Sequence, residues 1–193
     1  MHSLPRSGSL MVDSSPYPSW FYYPSREPPP PWARDFITVV AAARDAIDTR
    51  EHRGLTSDKA LLALEPGLRA LGYEVEASKR RSDRIRRPVL FGDNGVELLA
   101  WEVDAVNDLL GVLVEVEAGR GARSNAVYRD LIRTSLIVNA NFLVLGVQLA
   151  YRHAAKGGGV TVHSYIDTKN LLDALYASGR LQLPFKGVLL FGY

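Results

Sequence analysis

Two short apolar runs, each ending in carboxylates and joined by a tight turn, restrict this chain more than any other feature. In Val96 to Val106 successive side chains of an extended strand face opposite ways, so Glu97, Leu99, Trp101 and Val103 share one face and Leu98, Ala100, Glu102 and Asp104 the other. The same rule sets Val112, Val114 and Val116 against Leu113, Glu115 and Glu117. A turn over Asp108 to Gly111 predicts that Asp104 faces Glu115 and Glu102 faces Glu117, which gathers four carboxylates in one patch. Like charges opposed across a sheet destabilise it, and apolar neighbours add a desolvation cost. A hard divalent cation with oxygen ligands offsets both, so the pattern predicts a metal site of Asp104, Glu115 and Glu117, with Glu102 supporting it or lying at its solvent edge. The competing reading is a solvated sheet face paired with arginines. The flanking Leu-Ala-Trp and Leu-Val residues argue against it.

The rest of the chain places this hairpin within a single domain. Residues 1–34 hold eight of the eleven prolines, including Pro28 to Pro31, which predicts a tail without regular structure, followed by one domain over residues 35–193. The tail also carries Tyr17, Trp20, Phe21, Tyr22, Tyr23 and Trp32; packing across the domain's own surface or a dimer mate is the favoured reading over stacking on bases. A helix is expected from an Asp35 cap to about Thr49, and a second after Thr56 and Ser57 up to Gly72, with Pro66 a potential break. Short strands are expected at Tyr73 to Ala77 and Val89 to Gly92, the latter turning through Asp93-Asn94-Gly95 into Val96 to Val106. A helix capped by Ser124 then spans Asn125 to about Val138, Phe142 to Gln148 is a buried strand, a helix capped by Asp167 ends near Ser178, and Gly187 to Phe191 closes the fold as a strand. The expected class is α/β or α+β, a mixed central sheet flanked by helices.

Composition removes several chemistries. The chain has no cysteine, which excludes disulfide frameworks, thiol nucleophiles and cysteine-ligated zinc and suits a reducing cytoplasm. No signal-peptide pattern opens it and no apolar run reaches about 18 residues, so neither secretion nor a membrane partner is expected. His2, His52, His153 and His163 lack His-x-x-x-His spacing, Lys156-Gly157-Gly158-Gly159 lacks P-loop spacing and is expected to be a flexible turn, and no Gly-x-Ser-x-Gly elbow is present.

The stretch Glu102-Val-Asp104, an eleven-residue step, and Val114-Glu115-Val116-Glu117 followed by a helix resembles the PD-(D/E)xK nuclease core. More narrowly, it is similar to type II restriction endonucleases with an Asp…Glu-x-Glu site. The resemblance covers residues 97–148, in the order strand, strand, helix, strand. It implies a restriction-endonuclease-like fold, a Mg²⁺ or Mn²⁺ cofactor, double-stranded DNA as substrate and a homodimer if the target is palindromic. It also implies catalytic roles for Asp104, Glu115 and Glu117, with the metal held by Asp104 and Glu115. Two departures stand out: no proline precedes Asp104, and Glu117 occupies the usual lysine position, where it can ligate metal, orient water or accept a proton but cannot supply positive charge.

The net charge is only +2, yet cations cluster. Lys79, Arg80, Arg81, Arg84, Arg86 and Arg87 fall within nine residues, and Arg120, Arg123, Arg129 and Arg133 follow the acidic strand; both groups are candidate DNA contacts. The alternatives are a solvated loop for the first group and a surface salt-bridged through Asp130 for the second. Against the nuclease stand an inactive DNA-binding or protein-interaction module on the same scaffold, and a glycosidase-type carboxylate pair that needs no metal.

Overall fold

The computed structural model describes residues 16–76, 80–119, 125–155 and 158–193. In chain order its elements are β1 (Ser19–Tyr23), α1 (Pro31–Ala42), α2 (Arg44–Ile47), α3 (Ser57–Ala70), β2 (Glu74–Val75), β3 (Ile85–Phe91), β4 (Glu97–Val103), β5 (Ala105–Asn107) and β6 (Val112–Glu117). These are followed by α4 (Ala126–Ser135), β7 (Phe142–Val147), β8 (Tyr151–Ala155), β9 (Gly158–Val162), α5 (Ser164–Ser178) and β10 (Gly187–Gly192). The class is mixed α and β. One six-stranded sheet runs in the order β1-β10-β7-β6-β5-β2, and β3-β4 and β8-β9 form separate two-stranded ribbons.

β7 and β10, FLVLGV and GVLLFG, are apolar at every position, as strands covered on both faces must be. Together with β6 they form a parallel core, with Val114 opposite Val144 and Val144 opposite Leu189. Parallel neighbours need a crossover, which α4 supplies between β6 and β7 and α5 between β7 and β10. Val127 and Leu131 of α4 and Leu172 of α5 bury against Leu113, Leu143, Leu145, Val188 and Leu190. On the other face, Phe36 and Val40 of α1 and Leu61, Leu64 and Leu68 of α3 cover Val112, Val114, Val116 and Phe191.

Gly146 makes that second layer possible, because a Cβ there would come within 2.4 Å of the Phe191 ring. Overpacking of this kind typically costs about 1–3 kcal/mol, so Gly146→Ala should lower the chemical-denaturation midpoint accordingly. An unchanged midpoint would mean that Phe191 swings clear.

The structure corrects the boundary at residue 34. Ser19–Tyr23 pairs antiparallel with β10, Phe21 facing Leu190, and α1 starts at Pro31 rather than Asp35. Prolines permit both: Pro18 and Pro24 flank β1, which is an edge strand, and Pro31 at the first helical turn gives up an N–H that would have no intrahelical partner. The aromatic residues of this stretch are structural, with Tyr22 and Tyr23 buried and Trp20 and Trp32 packed against the core.

Other boundaries also move. The predicted helix to Thr49 splits into α1 and α2 at Ala43, and Pro66 lies inside α3 without ending it. Pro66 lacks the N–H that would bond the Leu62 carbonyl, and Leu62 is exposed, so water can serve that acceptor. α5 begins at Ser164, which leaves Asp167 in the first turn rather than at the cap. α4 is shorter than predicted, and its expected Ser124 cap lies outside the described residues. The glycines predicted as a flexible turn border the β8-β9 hairpin, with residues 156–157 outside the described residues. Among the described residues no helix is long and apolar enough to cross a membrane.

Candidate active site at the end of β6

The predicted hairpin register holds where the ladder exists: Ala105 faces Val114, Val106 faces Leu113 and Asn107 faces Val112. Gly111, at φ +67°, closes the turn; a Cβ there would come within 2.4 Å of Asn141. The ladder stops at Ala105, because at Asp104 the chain leaves β6 and continues backwards into β4, which pairs with β3 instead. Two bonds hold that bend: the Asp104 carbonyl accepts from Glu76 N at 2.9 Å, and Asp104 Oδ2 accepts from Val116 N at 2.8 Å. Asp104 therefore lies beside Glu115 as expected. The predicted pairing of Glu102 with Glu117 is overturned: Glu102 lies opposite Arg86 and forms an ion pair with Arg84. Of the flanking Leu99, Ala100 and Trp101, Leu99 is exposed and Ala100 buried, so burial of the acids comes mainly from β6 and its covering helices.

A cavity of about 190 Å³ opens at this bend. Asp104, Glu115 and Glu117 line it together with Glu102 and Glu76, while Arg129 and Arg133 of α4 and Ser57 at the start of α3 complete the wall. Glu115 is nearly enclosed, at 8% exposure, and its pKa is pushed well above the carboxylate range, first by burial and then by the charges of Asp104 and Asp130. Glu117 is pushed up to about 8, again by burial first, then by hydrogen-bond contact with Asp130; Arg129 acts in the opposite direction. Asp130 is almost fully buried, and its Oδ1 accepts from Arg129 Nε at 2.9 Å. The buried Tyr193 hydroxyl donates to the Glu117 carbonyl at 3.0 Å and pins the end of β6.

The cations are mostly engaged. Arg129 forms ion pairs with both Glu117 and Asp130, and Arg133 donates to the Glu102 carbonyl and lies over the Trp101 ring. In the other basic group Arg84 binds Glu102, Arg87 binds Glu74 and Asp108, and Arg86 donates to the Ala100 carbonyl. Arg86 and Arg87 lie on β3 rather than in a loop, and Arg80 precedes a short turn at Arg81–Asp83. Lys79, Arg120 and Arg123 lie outside the described residues.

Glu76 lines the cavity and the buried Asp130 acts on Glu115 and Glu117 from outside its wall; neither was singled out from sequence for that role. Glu76 follows β2, which pairs with β5, and this antiparallel pairing brings it to the Asp104 bend. Asp130 sits one helical turn into α4, where only the packing of α4 on β6 could show that it faces Glu117.

The donor set is of the type a hard cation takes, since the cavity wall carries five carboxylates. Among the described residues, no three His, Cys, Asp or Glu side chains are gathered closely enough to hold a metal ion. Glu117 and Glu102 are turned toward arginines and Asp104 toward a backbone N–H, so ligation requires these side chains to rotate. Comparison of the chain with protein-family models, with curated proteins and with solved structures gave no match.

Proposed function

We propose that this chain is a Mg²⁺- or Mn²⁺-dependent endonuclease that hydrolyses phosphodiester bonds of double-stranded DNA, with a site-specific restriction enzyme as its most concrete form. The observation that carries this reading is the meeting of Asp104, Glu115 and Glu117 in one cavity that Arg129 and Arg133 also line. The frame agrees with it: β5, β6, α4 and β7 follow the strand, strand, helix, strand order that the sequence resemblance implies. A bound divalent cation supplies charge neutralisation at the scissile phosphate and acidifies the attacking water.

Asp104 and Glu115 are the residues that would hold the cation, one from the bend and one from the central strand β6. Glu117 takes the proton of the attacking water. Burial pushes its pKa up to about 8 in the metal-free protein, so it serves as the acceptor only after giving up its own proton, a loss that cation binding favours. Arg129 and Arg133 draw the polyanion in and orient its phosphate; this requires Arg129 to exchange its Glu117 contact for substrate. A palindromic target would be met by a homodimer in a cytoplasmic setting.

Incubation with plasmid and genomic DNA tests the reading. Mg²⁺-dependent cleavage is expected, with discrete fragments if it is sequence specific, and none in EDTA. One observation favours a second reading, an inactive DNA-binding module on the same scaffold: the arginine pairing of Glu117 and Glu102 already neutralises part of the acidic set. That module would bind DNA and leave every substrate uncut.

A further inference from the structure

A second cleft is basic. It has a volume of about 480 Å³ and is lined by Arg53, Arg152, His153, Gly159, Val160 and Thr161, with no carboxylate in its wall. Arg152 and Thr161 are directly opposed in the β8-β9 register, which sets a guanidinium and a hydroxyl side by side. Arg152 Nη1 donates to the Arg50 carbonyl at 3.0 Å, which ties the hairpin to the loop before α3 and leaves further guanidinium donors for a ligand. Arg53 is exposed on that loop, and no described residue forms an ion pair with it, in contrast to Arg84, Arg87 and Arg129.

One side chain ties the backbone that follows Glu117 to the backbone that follows Arg53. Gln148 Oε1 accepts from Gly119 N at 3.3 Å, two residues beyond Glu117, and Gln148 Nε2 donates to the Leu55 carbonyl at 2.8 Å, two residues beyond Arg53. Ser57, in the wall of the acidic cavity, is four residues from Arg53, a reach of at most about 14 Å. That distance corresponds to about four nucleotides of duplex rise.

We infer that the Arg53–Arg152 cleft binds a backbone phosphate of duplex DNA, a few nucleotides from the phosphate at the acidic cavity. The substrate class rests on the nuclease reading; the cleft's chemistry does not. Paired guanidinium donors with a neighbouring hydroxyl suit a phosphodiester anion, and the absence of base-reading geometry makes the contact one of positioning.

Fluorescence anisotropy of a labelled duplex in EDTA, between 50 and 200 mM salt, separates binding from cleavage. Loss of one phosphate contact removes about 0.9 from the slope of log K against log salt and weakens binding about eightfold at 0.1 M. Arg53→Ala should show part of that change at an unaltered melting temperature, Arg53→Lys should keep the slope, and Arg53→Ala with Arg152→Ala should show the whole of it and no more. Wild-type affinity and slope in Arg53→Ala would overturn the inference, as would a wild-type protein that binds inorganic phosphate but no duplex. An Arg53-dependent duplex affinity in a protein that cuts nothing in Mg²⁺ supports the cleft and removes the nuclease reading. Cleavage with an unchanged Arg53→Ala affinity does the reverse.

Discussion

Replacing Glu115 by glutamine should abolish Mg²⁺-dependent DNA cleavage, a loss of at least about a thousandfold, or about 4 kcal/mol of transition-state stabilisation. Glu115 is the most enclosed acid of the cavity and sits on β6 between β5 and β7, so no neighbour can take over its position. Glutamine keeps the shape and removes the charge. The same substitution should leave the metal-free fold intact and raise its melting temperature at pH 8, because burial and the charges of Asp104 and Asp130 all oppose ionisation of Glu115. A residue serving only the core would show the opposite pairing, with stability reduced and cleavage kept in proportion to folded protein. Single-turnover cleavage and a thermal melt on one preparation distinguish the two.

Divalent-cation affinity should rise steeply with pH, by up to about tenfold per unit for each proton displaced, between roughly pH 6 and 8. Glu117 is raised to about 8 from an ordinary 4.5, so a cation arriving at neutral pH must displace its proton, and Glu115 is shifted in the same direction. The sign for stability follows from the same shifts. A carboxyl that binds its proton more tightly when folded contributes stability that is full below pH 4.5 and is lost as pH rises through 8. The metal-free protein should therefore lose stability over that window, and saturating Mn²⁺ should restore it. Asp48 and Asp173 act the other way. Despite burial, hydrogen bonds from Arg50 hold Asp48 below its ordinary value, and those from Lys169 and Tyr23 do the same for Asp173, so both contributions are lost only in acid. Comparing the wild type with Glu117→Gln isolates the contribution of the cluster: the variant should show a flatter stability profile between pH 5 and 8 and fewer protons released on Mn²⁺ binding.

What could be read from the sequence was local. The facing of Glu115 and Glu117 away from Val114 and Val116 follows from alternation, and the β5-β6 register follows from the length of a turn that Gly111 closes. The apolar runs of β7 and β10 identified themselves. The departure of β4 at Asp104 did not, because it depends on a backbone bond to Glu76, twenty-eight residues earlier. For the same reason Glu102 was assigned to Glu117, when its partner comes from β3. β1 escaped notice because prolines mark irregular chain in general and edge strands only in context. The rise of the Glu117 pKa, from burial first and Asp130 second, depends on how α4 lies against β6 and leaves no trace in residue spacing.

The central claim is that the Asp104, Glu115 and Glu117 cavity binds a divalent cation. Titration calorimetry with Mn²⁺ at pH 6 and pH 8, each in two buffers of different ionisation enthalpy, tests it most directly. The account predicts one site per chain, tighter at pH 8, with net proton release at pH 6 and loss of the site in both Asp104→Asn and Glu115→Gln. Binding that is absent at millimolar Mn²⁺, or that survives both substitutions unchanged, would contradict it.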